Sequence, residues 1–409
     1  MTKIKLPELL APAGNPEKLL FAYLYGADAC YVGGESFSLR QAADNFTDKE
    51  LAAGIELAHS MGRRLYVAVN IFAHNEDIGA ITGYLQQLAE IKPDGLIVSD
   101  PGVFSLCKKH SPEIPIHIST QANNTNLLTA RFWKEQGAER VILARELTLP
   151  ETMEISRHSG IDTEIFIHGA MCISYSGRCL LSNFLTGRDA NKGNCSHPCR
   201  WEYRVLEEKS RAGEYFPIKE DARGAYIMNS KDLCLLASLP EVIASGVSSL
   251  KIEGRNKSAY YAANVTRIYR AALDAIAAEG ERYHMRPEWM DELQKVSHRG
   301  YTEGFAHGKP DAGTMRYESG GYDREHDFCG IVLGTESRGL IVEQRNKMTL
   351  GDELEIIMPH SGNNTVTINE MYDYISGERI EAAPHPKQKI IIPSALMTET
   401  PLLARRKSR

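Results

Sequence analysis

Eight short β-type runs, spaced by stretches that carry helix start and stop signals, constrain this 409-residue chain more than any other feature. They are "PELLAPAG" (7–14), "ACYVGG" (29–34), "RLYVAVN" (64–70), "GLIVSDP" (95–101), "IPIHISTQ" (114–121), "RVILARE" (140–146), "TEIFIHG" (163–169) and "SLKIEGR" (249–255). Between them, Asn15 before Pro16 fits an N-cap with proline at the first helical position, and Gly26 fits the stop. Thr47 with Glu50 and Thr148 with Glu151 have capping-box spacing, each opening a stretch closed by Gly62 or Gly160. A parallel crossover needs a dozen or more residues, usually a helix, so the alternation predicts parallel pairing. Eight units predict a closed (β/α)8 TIM-like barrel; an open doubly wound sheet usually has fewer strands.

Each run is apolar in its body and polar or glycine-rich where it finishes. Asn70, Asp100, Gln121, Arg145 with Glu146, His168, and Glu253 with Arg255 stand at or near those ends. In a barrel the C-terminal ends of the strands share one face, and that face carries the active site. The set is therefore expected to converge on one mouth, although any one of these residues alone can mark no more than a strand leaving the core.

The seventh run passes straight into "HGAMCISYSGRCLLSNFLTGRDANKGNCSHPCRW" (168–201), which holds Cys172, Cys179, Cys195 and Cys199 in the spacing C-x(6)-C-x(15)-C-x(3)-C. The long interval before the eighth run, about residues 168–235, reads as a cysteine-rich insertion after strand 7. Four thiolates can enclose Zn tetrahedrally or hold an iron–sulfur cluster, and spacing alone leaves both open; the missing C-x(2)-C knuckles lean toward a cluster. Cys30, Cys107 and Cys329 read as core residues, while Cys234 in "NSKDLCLL" competes as a fourth ligand.

Composition narrows the setting. With 43% hydrophobic and 24% charged residues the chain reads as soluble, and neither a signal-peptide core nor eighteen consecutive apolar residues occurs. A cytoplasmic location without membrane attachment is expected, where clustered thiols more often mean metal or reactivity than disulfides. A net charge of -6 gives no overall attraction to nucleic acid, so an RNA contact would need a local patch.

After "SHRGYTEGF" (297–305) and "ESGGYD" (318–323) the pattern changes. "CGIVLG", "GLIVEQ", "DELEIIMP", "TVTINEMY" and "KIIIP" predict a small C-terminal antiparallel β-barrel over 325–409, following a first domain of 1–324. It serves either to help hold RNA or as an oligomerisation or packing module. The closing "ARRKSR" reads as a basic tail for phosphates or a disordered end.

"EIFIHGAMCISYSGRCLLS", together with "ELLAPAGNPEKLLFAYLYGADACYVGG" and "SLKIEGRNKSAYY", resembles the signature segments of the collagenase-like peptidase family U-32 over about residues 5–310. "NFLTGRDANKGNCSHPCRWEY" and "GEYFPIKEDARGAYIMNSKDLC" are most similar to its bacterial prephenate-dependent tRNA wobble-uridine hydroxylases. The resemblance implies oxygen-independent formation of 5-hydroxyuridine in tRNA, with prephenate as hydroxyl donor. It also implies a 4Fe-4S cluster on Cys172, Cys179, Cys195 and Cys199, and it leaves room for a second family member as partner.

A small dianionic donor needs cations with bidentate reach, which favours arginine. Arg145 and Arg255 are the leading carboxylate ligands, with Arg178, Arg188 and Lys251 as further cations and Gln121 and Asn70 as polar contacts. Glu253 suits a general base or an orienting group, and His168 a proton shuttle. For a turned-out base, Trp201, Tyr203, Arg204, Lys257 and Tyr260 are candidate contacts. Three classes follow: the hydroxylase; a U-32 peptidase, for which no H-E-x-x-H or G-x-S-x-G is present; and a non-catalytic, Zn-stabilised RNA-binding protein.

Overall fold

The computed structural model describes residues 5–38, 45–172, 196, 219–221, 224–226, 230–309, 322–360 and 362–408. They fall into two compact units, Met1–Arg286 with His298–Tyr322 and Pro287–Ser297 with Asp323–Arg409.

In the first unit, seven buried runs become β1 (Glu8–Pro12), β2 (Ala29–Gly33), β3 (Arg64–Val69), β4 (Gly95–Val98), β5 (Ile116–Ile118), β6 (Arg140–Ile142) and β7 (Asp162–Gly169). The short strands β8 (Lys219–Asp221), β9 (Gly224–Tyr226) and β10 (Asp232–Cys234) come before β11 (Ser249–Ile252), and β12 (Tyr301–Thr302) follows. Parallel pairing runs in chain order from β1 to β7, and β11 closes the ring by pairing parallel with both β7 and β1. The result is the expected closed eight-stranded parallel barrel.

The helices between the strands are α1 (Pro16–Leu24), α2 (Asp48–Ser60), α3 (Ile78–Ile91), α4 (Pro101–His110), α5 (Leu127–Gln136) and α6 (Leu149–His158). Two more, α7 (Leu239–Ala244) and α8 (Ala259–Glu279), flank β11. The start and stop signals act as expected. Asn15 Oδ1 accepts from the Lys18 amide at 2.9 Å, and both capping boxes form. Gly26, Gly62 and Gly160 have φ of +105°, +64° and +68°, a region that favours glycine. No described helix is long and apolar enough to cross a membrane.

Strands end earlier than hydrophobicity suggests where a side chain offers the backbone another partner. Ser119 accepts from the Gln121 amide and starts a 3₁₀ turn over Thr120–Ala122, which stops β5 at Ile118, short of the end of "IPIHISTQ". Asp100 is used in the same way: its carboxylate caps α4 at the Val103 amide, 2.9 Å away, so it is a helix cap rather than a mouth group.

β7 is longer than β6 and pairs along one edge with β11 over Glu164–His168. Its other edge pairs with β6 over Asp162–Glu164 and then, above the end of β6, with antiparallel β10, which sets Cys234 opposite His168. β12 extends this corner by pairing Tyr301 with Asp232. The barrel rim is thereby widened beside β7. Whether a cysteine-rich insertion fills the interval before β10 lies outside the described residues.

The second unit is an antiparallel half-barrel sheet. Its strands are β13 (His326–Glu336), β14 (Gly339–Gln344), β15 (Met348–Thr349), β16 (Glu353–Ile357), β17 (Asn364–Thr367), β18 (Tyr372–Asp373), β19 (Ala382–Ala383), β20 (Lys389–Ile392) and β21 (Leu402–Lys407). The order is β17-β16-β21-β13-β14-β20-β18, with β15 and β19 paired separately, around a core that includes Val332, Val342, Ile356, Ile390 and Leu402.

The sequence pattern places residues 287–297 in the first domain, but they cluster with this unit and carry helix α9 (Pro287–Gln294). The reason lies in the supposed basic tail. Arg405, within β21 and fully buried, donates to Glu292 Oε1 at 2.7 Å and Glu355 Oε2 at 2.5 Å, and Arg406 donates to Asp352 Oδ2 at 2.5 Å. These arginines are therefore structural, not a free phosphate-binding end. Arg405→Ala is expected to cost about 2–3 kcal/mol, because it strands two carboxylates beside the core. Urea unfolding that matches wild type would contradict this.

Candidate active site at the barrel mouth

Beneath the mouth the barrel interior is charged. Glu8 on β1 accepts from Arg140 at 2.7 Å, from Tyr66 at 2.8 Å and from Ser249 at 3.1 Å, and pairs with Arg64. Arg140 also reaches Glu164 Oε2 at 3.1 Å, and Lys251 donates to Glu164 Oε1 at 2.8 Å. Burial opposes the Glu164 charge, but Lys251 and Arg140 outweigh it and hold its pKa down to about 2. Lys251, expected as a substrate-binding cation, is thus committed below the mouth. It is buried against Glu164, with Nζ 4.3 Å from the Tyr31 ring centroid.

Above this layer the ends of the strands meet. On one side Asn70, after β3, donates from Nδ2 to Gln121 Oε1 at 2.7 Å, and Ser119 donates to the same oxygen at 2.8 Å. These two expected polar contacts form one amide pair. After β11, Glu253 is buried, and Tyr31 donates from its hydroxyl to Glu253 Oε2 at 3.2 Å. Gly169 at the end of β7 has φ +109°, and a Cβ there would lie 2.5 Å from the Glu253 carbonyl oxygen. Only glycine lets the exit of β7 run this close to Glu253.

Arg145 is half-buried, with its guanidinium 4.1 Å from the Phe166 ring centroid and Nη1 donating to the Ala170 carbonyl at 3.2 Å. It braces the chain two residues before Cys172. Arg255 is buried and donates from Nη2 to Ser38 Oγ at 3.1 Å and Asn45 Oδ1 at 3.0 Å, neutral acceptors supplied by the segment after β2. Both predicted arginines therefore reach the mouth, each already holding a loop.

His168 is 1% exposed, with Nδ1 3.4 Å from the Tyr269 hydroxyl and its ring among those of Tyr261, Tyr269 and Tyr301. Burial lowers its pKa to about 3, which keeps it neutral and unsuited to cycling through imidazolium as the expected shuttle. His117, inside the barrel against Tyr66, is lowered to about 3 for the same leading reason. Unfolded histidines take up protons near pH 6.5, whereas these two stay neutral in the fold. Stability is therefore lost as pH falls from about 6.5 toward 3, by about 3 kcal/mol between pH 6.5 and 5 for the pair. Urea midpoints measured across that range test this, and His117→Asn should flatten the slope; a flat wild-type profile would refute it.

Of the described cysteines, Cys172 alone is exposed, three residues beyond β7. Cys30, Cys107 and Cys329 are core residues, as expected. Cys234 is buried, with Sγ 3.7 Å from the Tyr269 hydroxyl, and burial pushes its thiol up to about 11, a poor state for a metal ligand. Cys179, Cys195, Cys199, Arg178, Arg188, Trp201, Tyr203 and Arg204 lie outside the described residues. Among the described residues no group of three His, Cys, Asp or Glu side chains is placed to hold a metal ion. Of the remaining base contacts, Tyr260 is buried in α8, while Lys257 packs on Tyr261 and Tyr322.

Sequence reasoning missed Tyr31, Glu164 and the tyrosines around His168. Tyr31 reads as strand body, and Tyr301 sits in a segment that reads only as a boundary.

The sequence pattern described as "Peptidase family U32" matches residues 14–316, and "Peptidase family U32 C-terminal domain" matches 324–405. The chain is 42% identical to "tRNA hydroxylation protein P1" of Bacillus subtilis, over 96% of this chain and 94% of that one. It is 39% identical to "tRNA hydroxylation protein P" of Escherichia coli, over 95% and 93%. It is also 34% identical to the E. coli "23S rRNA 5-hydroxycytidine C2501 synthase", over 80% of this chain and 48% of that one.

Proposed function

The chain belongs to peptidase family U32, and from that premise we propose that it hydroxylates tRNA, converting the wobble uridine to 5-hydroxyuridine without oxygen. Relatives along nearly the whole chain are named for tRNA hydroxylation, and a third is named for making a 5-hydroxypyrimidine in ribosomal RNA. The observation that carries the reading to a site is Cys172, an exposed thiol just past β7, where the strand passes against the buried Glu253.

In this reading Cys172, with Cys179, Cys195 and Cys199, holds a 4Fe-4S cluster. Such a cluster, when bound, supplies Lewis acidity or single electrons to the reaction. The described residues supply the rest. The Asn70–Gln121 amide pair offers donor and acceptor together, matching the imide edge of a turned-out uracil. Tyr31 orients Glu253, whose carboxylate accepts a proton or holds the hydroxyl of the donor. Arg145 and Arg255 place cationic charge at the rim for the small dianionic donor, prephenate in this reading. In this reading the chain acts in the cytoplasm on tRNA, with a second family member as its protein partner.

Nucleoside analysis of tRNA tests the reading. Cells that lack this chain should lose 5-hydroxyuridine, and anaerobic complementation should restore it. An unchanged nucleoside profile would overturn the proposal.

A further inference from the structure

Arg140, Arg405 and Arg406 each answer carboxylates. Arg145, after β6, does not. Among the described residues its guanidinium is held by two neutral groups, the Phe166 ring, with the centroid 4.1 Å away, and the Ala170 carbonyl, which accepts from Nη1 at 3.2 Å. The adjacent Glu146 feels the positive charge, which lowers its carboxyl against the larger, opposite effect of burial, but forms no ion pair with it.

A guanidinium grips a carboxylate along an edge that presents two nitrogens, Nε with Nη2 or Nη1 with Nη2. In Arg145 the first edge is closed to a ligand, because Nε is buried, and Nη1 on the second is held by Ala170. What this half-buried side chain still presents is Nη2 and the face turned away from Phe166. The ring behind it is 7% exposed and lies in β7 in register with Lys251, so the backing is fixed before any ligand arrives. A flat cation laid on an aromatic ring suits stacking by a third flat group, and unpaired bases are taken up on arginine planes in this way. The carbonyl that holds the guanidinium also lies two residues before the exposed Cys172.

We propose that the outer face of the Arg145 guanidinium, backed by Phe166, is the platform on which the turned-out uracil stacks. This rests on the reading of the chain as a tRNA uridine hydroxylase. It assigns Arg145 to the base by its plane and leaves Arg255 as the rim cation for the donor.

Two RNA stem-loops of anticodon size, one with uridine and one with an abasic site at the position to be modified, test this by fluorescence anisotropy on the full-length protein purified without oxygen. Wild type should prefer the uridine stem-loop by about tenfold, the scale of one stacked base. Arg145→Lys, which keeps the charge and loses the plane, should lose that preference while its thermal midpoint and its affinity for the abasic stem-loop match wild type. Arg145→His at about pH 8, flat but mostly uncharged, should keep most of it. A preference in Arg145→Lys equal to wild type, or wild type that binds both stem-loops alike, would overturn the platform and leave the hydroxylase reading standing. Equal weakening of Arg145→Lys toward both stem-loops would assign the side chain to phosphate and also overturn it. Wild-type protein that binds neither stem-loop would instead remove the tRNA reading, and the platform with it.

Discussion

Glu164→Ala is expected to destabilise the barrel by about 3–5 kcal/mol, the typical cost of leaving a buried charge without its partner. Glu164 is completely buried and is bonded to both Lys251 and Arg140. Its removal leaves the Lys251 ammonium, 4% exposed, with no anion among its described hydrogen bonds, and leaves Arg140 with Glu8 alone. Urea unfolding followed by circular dichroism gives the number. A double variant, Glu164→Met with Lys251→Met, should recover most of the loss, because matched apolar groups avoid both desolvation penalties. If the single variant is as stable as wild type, water reaches this layer and the interior is not a sealed ionic core.

The other large effect concerns Cys172. Cys172→Ser should abolish bound iron, from about four atoms per chain in anaerobically purified wild type, together with 5-hydroxyuridine in complemented cells. Cys195→Ser should behave alike. Cys234→Ser serves as the contrast: its thiol packs on Tyr269 and should leave iron content unchanged. Serine at 172 with full iron and full modification would separate the exposed thiol from the chemistry. Loss of iron in Cys234→Ser would make that buried residue a ligand after all.

The two predictions draw on different kinds of information. Cysteine spacing is local, and the position of Cys172 just past a strand is legible in "HGAMC" itself. The same holds for the caps at Asn15, Thr47 and Thr148, since each motif closes within three residues of itself. Glu164 is not legible in this way. A charged residue inside a β-type run looks like a strand edge until closure of the ring sets Glu8, Arg140 and Lys251 around it. Lys251 is misplaced by sequence reasoning for the same cause. Arg405 and Arg406 follow suit, because a basic stretch near the chain's end reads as solvated until Glu292, Glu355 and Asp352 are seen beside it. His168 is rightly expected at the end of its strand, but its neutrality depends on burial among three tyrosines that come from 93 to 133 positions further along the chain.

The sequence by itself determined the eight parallel strands of the ring, the helix starts at Asn15, Thr47 and Thr148 and the antiparallel character of the later strands, since hydrophobic period and capping chemistry act over a few residues. Only the tertiary structure decided which charged side chains are structural and which can meet a ligand. That depends on burial and on partners far away in the chain, and the energy of a charge depends on both far more than on its neighbours in sequence.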